Sequence, residues 1–144
     1  MASLEFEDYY LDEFSYKKNI NYVDSDQIDL NSDISCSIQV KRREETAFVN
    51  LKVTLGSLDN TNAAFKAVVD IVGKFNYQKE KNTEYDISFE KFLTENSLAI
   101  LWSFIRPLFS NLITNGNQYP NYILPVINIS KMLKDSGKIE INYD

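Results

Sequence analysis

"AAFKAVVDIVGKFNY", residues 63–77, satisfies two periods at once. Ala63, Phe65, Ala67, Val69, Ile71, Phe75 and Tyr77 share one parity, as on the inward face of a strand, while Lys66, Asp70 and Lys74 recur at the i, i+4 spacing of a helix's polar face. The stiff β-branched Val68, Val69, Ile71 and Val72 suit a pleated surface, and residues 56–62 supply the Gly, Ser, Asp and Asn of a loop before them. We therefore read a strand, the fourth before the first clear helix.

Working outward, Ile34, Cys36, Ile38 and Val40 alternate with polar residues, as do Ala47, Val49, Leu51, Val53 and Leu55, so both stretches predict half-buried strands. The charged run 41–45 between them reads as a solvated turn. Residues 4–16 place Leu4, Phe6, Asp8, Tyr10, Asp12, Phe14 and Tyr16 on one parity, a long strand whose polar interruptions point to a bulge or an edge. Residues 17–33 have the composition of a long loop, with Tyr22, Ile28 and Leu30 scattered through it.

From Ser97 to Asn115 the period becomes helical. Leu98, Leu101, Trp102, Ile105, Leu108, Phe109, Leu112 and Ile113 form one face with Phe104 on its shoulder, Pro107 predicts a kink or a join, and Gly116 a stop. This apolar arc is wider than the stripe of a helix that covers only one sheet. The connector "NGNQYPNYILPVIN", residues 115–128, then sets Tyr119, Tyr122, Ile123, Leu124 and Val126 around two prolines that forbid a regular element. Asn128 caps a short helix over residues 129–135, ended by Ser136-Gly137, and the alternating Ile139, Ile141 and Tyr143 allow a small extra strand.

The 144 residues, 44% hydrophobic and 25% charged, suffice for one domain over 1–144 with its own core. A net charge of −6 and only three arginines argue against nucleic acid, whose phosphates need clustered cations. The acidic start and the lack of an unbroken apolar run of membrane length predict neither a secretory signal nor a membrane partner, and hence a cytoplasmic protein. With no histidine, a histidine base, a His-bearing triad and a His-containing zinc site are excluded. The four glycines are never grouped as in a phosphate-binding loop, and Cys36 sits among alternating apolar residues as an inert buried thiol. The carboxylates lie at polar or loop positions and read as solvated charge. No enzyme, metal or cofactor is expected.

Taken in order, these segments resemble the SecB family of chaperones. Phe6, Tyr10, Phe14, Ser15 and Tyr16 are similar to its first strand, "NLKVTL" and "AAFKAVVDIVGKF" to its third and fourth, and "ILWSFIRPLFSNLI" to its long helix. Gly116, Tyr119-Pro120, Leu124-Pro125-Val126 and Asn128 resemble its helix connector, and together the pieces span about residues 4–135. The resemblance implies an α+β fold: a four-stranded antiparallel sheet with a long helix and a short helix packed on one face. It also settles residues 63–77 as a strand.

The resemblance further implies an ATP-independent holdase that binds unfolded or partly folded polypeptide clients in apolar grooves, assembled as a homotetramer, a dimer of dimers. Carried over by position, client-binding residues are Tyr22, Ile28, Leu30, Tyr119, Tyr122, Leu124, Ile129, Met132 and Leu133. Trp102, Phe104, Phe109 and Ile113 would meet another subunit, while Leu98, Leu101, Ile105, Leu108 and Leu112 meet the sheet. SecB proteins carry an acidic mobile tail that helps dock the SecA motor, whereas residues 137–144 here, "GKIEINYD", are strand-like. The partner is accordingly SecA in protein export, or a dedicated antitoxin-like or defence-system protein. The alternative reading is a non-chaperone scaffold that retains the fold.

Overall fold

The computed structural model describes every residue except Met1 and residues 24–30, 81–83 and 119–123. Five strands, β1 (Ser3–Lys18), β2 (Ser32–Lys41), β3 (Thr46–Gly56), β4 (Phe65–Gln78) and β5 (Ile139–Tyr143), form one sheet in the order β1-β4-β3-β2-β5. Two helices, α1 (Ile87–Gly116) and α2 (Ile129–Asp135), complete the fold. The strand reading of residues 63–77 holds, with Phe65, Ala67, Val69, Ile71, Phe75 and Tyr77 buried on the helix side. The charged run forms the exposed β2–β3 turn, where Glu45 takes a left-handed φ of 49°.

The expected four-stranded antiparallel sheet is corrected in one respect: the sheet has five strands and is mixed. β1 through β4 pair antiparallel, but β5 runs parallel to β2, Cys36 opposite Ile139 and Val40 opposite Tyr143. β2 leaves its second edge unpaired by the hairpin with β3, and β5 returns from α2 in the direction that α2 dictates, which is parallel.

The polar interruptions of β1 are bulges. The register with β4 slips between Phe6 and Asp8 and again between Leu11 and Glu13, so Glu7 and Asp12 are extra residues. Because the side-chain period is two, each slip exchanges the faces. Leu4 and Phe6, then Tyr9 and Leu11, then Phe14 and Tyr16 therefore stand opposite the inward residues Tyr77, Phe75, Gly73, Ile71, Val69 and Ala67, while Tyr10 turns to the other face against Val72.

α1 begins ten residues before the expected Ser97. Asp86 caps it by accepting from the Phe89 backbone N–H at 3.0 Å, and Phe89, Leu93, Ser97 and Leu101 continue one buried row at i, i+4 spacing. Ser97 in that row hides the period, because a polar residue occupies a core position. The helix runs through Pro107 as one element, with that residue on its exposed side, and ends where Asn117 adopts a left-handed φ of 59°. By length and composition α1 could cross a membrane, and 44% of the qualifying stretch is buried within the fold. Close approach to the sheet requires Gly73: a Cβ there would lie 2.8 Å from Leu101 Cδ2 and 2.8 Å from the Phe75 ring. At the far end the Tyr16 ring lies where a Cβ of Gly116 would project, and the Tyr16 hydroxyl donates to Gln118 Oε1 at 2.5 Å.

α2 spans the expected residues, its N-cap Asn128 accepting from the Lys131 N–H at 3.1 Å. Both helices pack on the face of the sheet that carries Ile38, Val40, Val49, Leu51, Val53, Val69 and Ile71, and these join Leu98, Leu101, Ile105, Phe109, Ile113 and Leu133 in a single core. The opposite face is largely polar, with Asn50 bonded to Asp70 and Lys74 paired with Glu7.

Candidate functional site

The returning limb of the connector is tied to α1 by two donors one helical turn apart. Trp102 Nε1 donates to the carbonyl of Pro125 at 3.0 Å, and Arg106 Nε donates to the carbonyl of Leu124 at 2.8 Å. Proline supplies no backbone donor and extended chain makes few internal bonds, so these side chains satisfy carbonyls that a helix or sheet would otherwise satisfy. The tie turns Leu124 inward, to 2% exposure, and leaves Val126 at 81%. On α2 the i, i+4 pair Ile129 and Leu133 is buried at 3% and 0%, while Met132 stands outward at 38%.

Of the expected client-binding residues, then, Leu124, Ile129 and Leu133 belong to the interior of the chain, a correction to the groove lining drawn from the sequence. Met132 is exposed and Tyr22 is half-buried against the core. Ile28, Leu30, Tyr119 and Tyr122 lie outside the described residues. Val126 is also exposed, and so beside Tyr22 are Ile20 and Val23, at 89% and 61%. Inward or outward facing in irregular backbone obeys no period, so the sequence held no signal that would rank Val126 above Leu124. The first turn of the β1–β2 loop is anchored by buried Asn19, whose side-chain amide donates at 2.8 Å to the carbonyls of both Asn60 and Ala63.

The residues expected to meet a second subunit divide in the same way. Trp102, Phe109 and Ile113, expected to meet another subunit, are buried within this chain as part of its core, with Trp102 lying under the connector. Phe104 is half-buried, with its ring 5.4 Å from that of Phe6 and 5.0 Å from that of Tyr9. From there an apolar strip continues along β1 through Tyr9, Leu11 and Phe14, each between 38% and 45% exposed on the helix face of the edge strand. Beyond Glu95 the outer side of α1 is nearly uncharged. Between residues 96 and 118 Arg106 is the one ionisable side chain, and it is committed to Leu124.

Among the described residues no group of three His, Cys, Asp or Glu could hold a metal ion. Cys36 is buried, and burial pushes its thiol up to about 12, so it stays protonated and unreactive. In one polar cluster the Tyr77 and Tyr85 hydroxyls meet at 2.9 Å and the Tyr143 hydroxyl donates to Glu90 at 2.7 Å, joining β4, α1 and β5. Burial, and then these hydrogen bonds, raise Tyr77 and Tyr143 above the usual phenol range.

No protein-family model matches the chain. An uncharacterised protein of Methanocaldococcus jannaschii is 26% identical over 141 residues, covering 96% of this chain and 88% of its own. Among solved structures, the SecB-like chaperone of Mycobacterium tuberculosis in complex with a ChAD peptide from an antitoxin superposes with a TM-score of 0.64 at 10% identity, over 86% of this chain and 87% of that one. A protein of unknown function from Streptococcus agalactiae gives a TM-score of 0.52 at 13% identity, over 87% and 98%. The chain thus has a SecB-like α+β fold with a fifth, parallel strand added.

Proposed function

We propose that this protein is a chaperone that binds unfolded or partly folded polypeptide, as an ATP-independent holdase, through the apolar side chains of its connector, α2 and β1–β2 loop. The observation that carries the reading is the tied connector. Trp102 and Arg106 hold its backbone in place while Val126 projects into water at 81% exposure, with Met132 on the next element and Ile20 and Val23 on the loop. Separate apolar contacts on a fixed frame suit an extended client, since each buries surface worth about 25 cal/mol per Å² without demanding a sequence. The SecB-like fold agrees with this, as does the solution of one such neighbour with an antitoxin peptide.

The assembly we propose is a homo-oligomer, up to a dimer of dimers, in the cytoplasm. β1 lies at the edge of the sheet and leaves Tyr9, Leu11 and Phe14 exposed on its helix face, with Glu5, Glu7 and Asp8 toward one end and Lys17 and Lys18 at the other. Antiparallel pairing of two copies would bring opposite charges together and cover the apolar strip. The client we propose is a dedicated one, as the antitoxin peptide is for the neighbouring SecB-like chaperone.

The test is suppression of aggregation of a chemically denatured protein, diluted with and without equimolar chain and no nucleotide. The native chain should suppress light scattering, and the Val126→Asp/Met132→Asp variant, both changes at exposed positions, should lose most of that effect while keeping its circular dichroism. A native chain without protective effect would reject the holdase and leave the scaffold reading.

A further inference from the structure

β2 pairs with β3 along its whole length, but on its other edge the only partner among the described residues is β5, opposite residues 36–40. The two sides of that pairing are unequal. Cys36, Ile38 and Val40 are closed at 4%, 0% and 0%, whereas Ile139, Ile141 and Tyr143 opposite them remain half-exposed. β5 therefore serves the core as a cover. Two exposed ion pairs at its ends, Lys138 to Asp33 at 2.7 Å and Arg42 to Asp144 at 3.5 Å, are weakened by water and salt, so the side-chain bond that must break when the strand opens is that of Tyr143 to Glu90 at 2.7 Å. A short parallel strand at the margin of a sheet is the kind of element that opens locally without global unfolding.

We propose that this edge of β2 is a docking site for an extended polypeptide and that β5 is its resident occupant, displaced when a client segment pairs there. The occupant displays the chemistry the site accepts. Main-chain bonds run from the Cys36 N–H to the Lys138 carbonyl and from the Asp144 N–H to the Val40 carbonyl, each 3.1 Å. Branched aliphatic or aromatic side chains are taken at alternate positions, as Ile139, Ile141 and Tyr143 are, and a carboxylate beyond them meets Arg42 as Asp144 does. The inference rests on the reading that the chain binds nonnative polypeptide, and it names where one segment of that client pairs.

Gln39 and Asn142 are register partners on the face away from the helices, so the full-length Gln39→Cys/Asn142→Cys variant can lock β5 by a disulfide, its reduced form being the control. Ile141→Asp, also full-length, loosens the strand. Binding of a fluorescein-labelled KIEINYD peptide is read by anisotropy. Because the tethered strand competes at high effective concentration, Ile141→Asp should bind about tenfold more tightly than the native chain, and the oxidised lock about tenfold more weakly than its reduced form. Equal affinity of the oxidised and reduced lock overturns the proposal, whether or not Ile141→Asp folds. So does a lock that abolishes dimers and leaves peptide binding unchanged, since β5 would then exchange between copies. Client aggregation measured on the same samples separates the two claims: protection that is undiminished by the lock removes this site and spares the chaperone reading, while absence of protection in every form removes the chaperone reading.

Discussion

The indole of Trp102 donates to the carbonyl of Pro125 across 3.0 Å, joining the middle of α1 to the irregular chain that follows it. The bond explains how an apolar, proline-containing segment holds one conformation without belonging to a helix or a strand. It also makes the exposure of Val126 a consequence of a residue in the core helix.

Replacing Trp102 by Phe keeps most of the apolar bulk and removes that donor. We expect a loss of about 1 kcal/mol by urea denaturation, the usual net worth of such a bond, plus a smaller packing loss. Client protection should fall further than global stability does, because the connector loses its tie. Retained protection would show that the connector's position does not matter for binding.

Ser97 is fully buried, and its hydroxyl has no hydrogen-bond partner among the described residues. Ser97→Ala removes an unsatisfied polar group and installs a better helix former, so the chain should gain about 1 kcal/mol. The urea midpoint should rise at unchanged slope. A drop in midpoint would mean that the hydroxyl is satisfied in solution.

At Gly73 the first atom of any side chain meets Leu101 and Phe75. Gly73→Ala should cost about 1–3 kcal/mol as α1 is pushed from β4, measured as a lower thermal or urea midpoint. Leu101→Ala in the same chain should recover part of the loss, since it removes the atom that the new methyl strikes.

Tyr77 and Tyr143 hold their protons in the folded chain beyond the ordinary phenol value of 10.0. The unfolded chain releases those protons first, so the native state binds more protons at high pH and stability must fall as pH rises. Stability should be flat with respect to these groups below about pH 9 and decline steadily above pH 10, in unfolding curves taken from pH 8 to 11. Tyr143→Phe should make the decline shallower. An unchanged slope would mean that the hydroxyl paired with Glu90 titrates normally.

Local physics was legible in the residues. The cap of α2 at Asn128 depends on a side chain and an N–H three residues apart, and its span was readable to the residue. The central strands were readable because one buried face imposes a period of two. The start of α1 was missed because Ser97 interrupts the apolar row at a position that only packing identifies as core. The parity of β1 could be read at either end but not across Glu7 and Asp12, because a bulge is defined by its partner strand.

The order of residues by itself determined the number and kind of the main elements, the absence of histidine chemistry, and the resemblance to a SecB-like α+β fold. Only the tertiary structure decided which apolar residues are surface. Leu124 and Val126, Ile129 and Met132, Phe109 and Phe104 are alike in hydrophobicity, and what separates them is which member packs into the shared core, as the bond from Trp102 to the connector does for Leu124 and Val126. Burial is a property of contacts between segments far apart in the chain, and local sequence encodes only the preference for it.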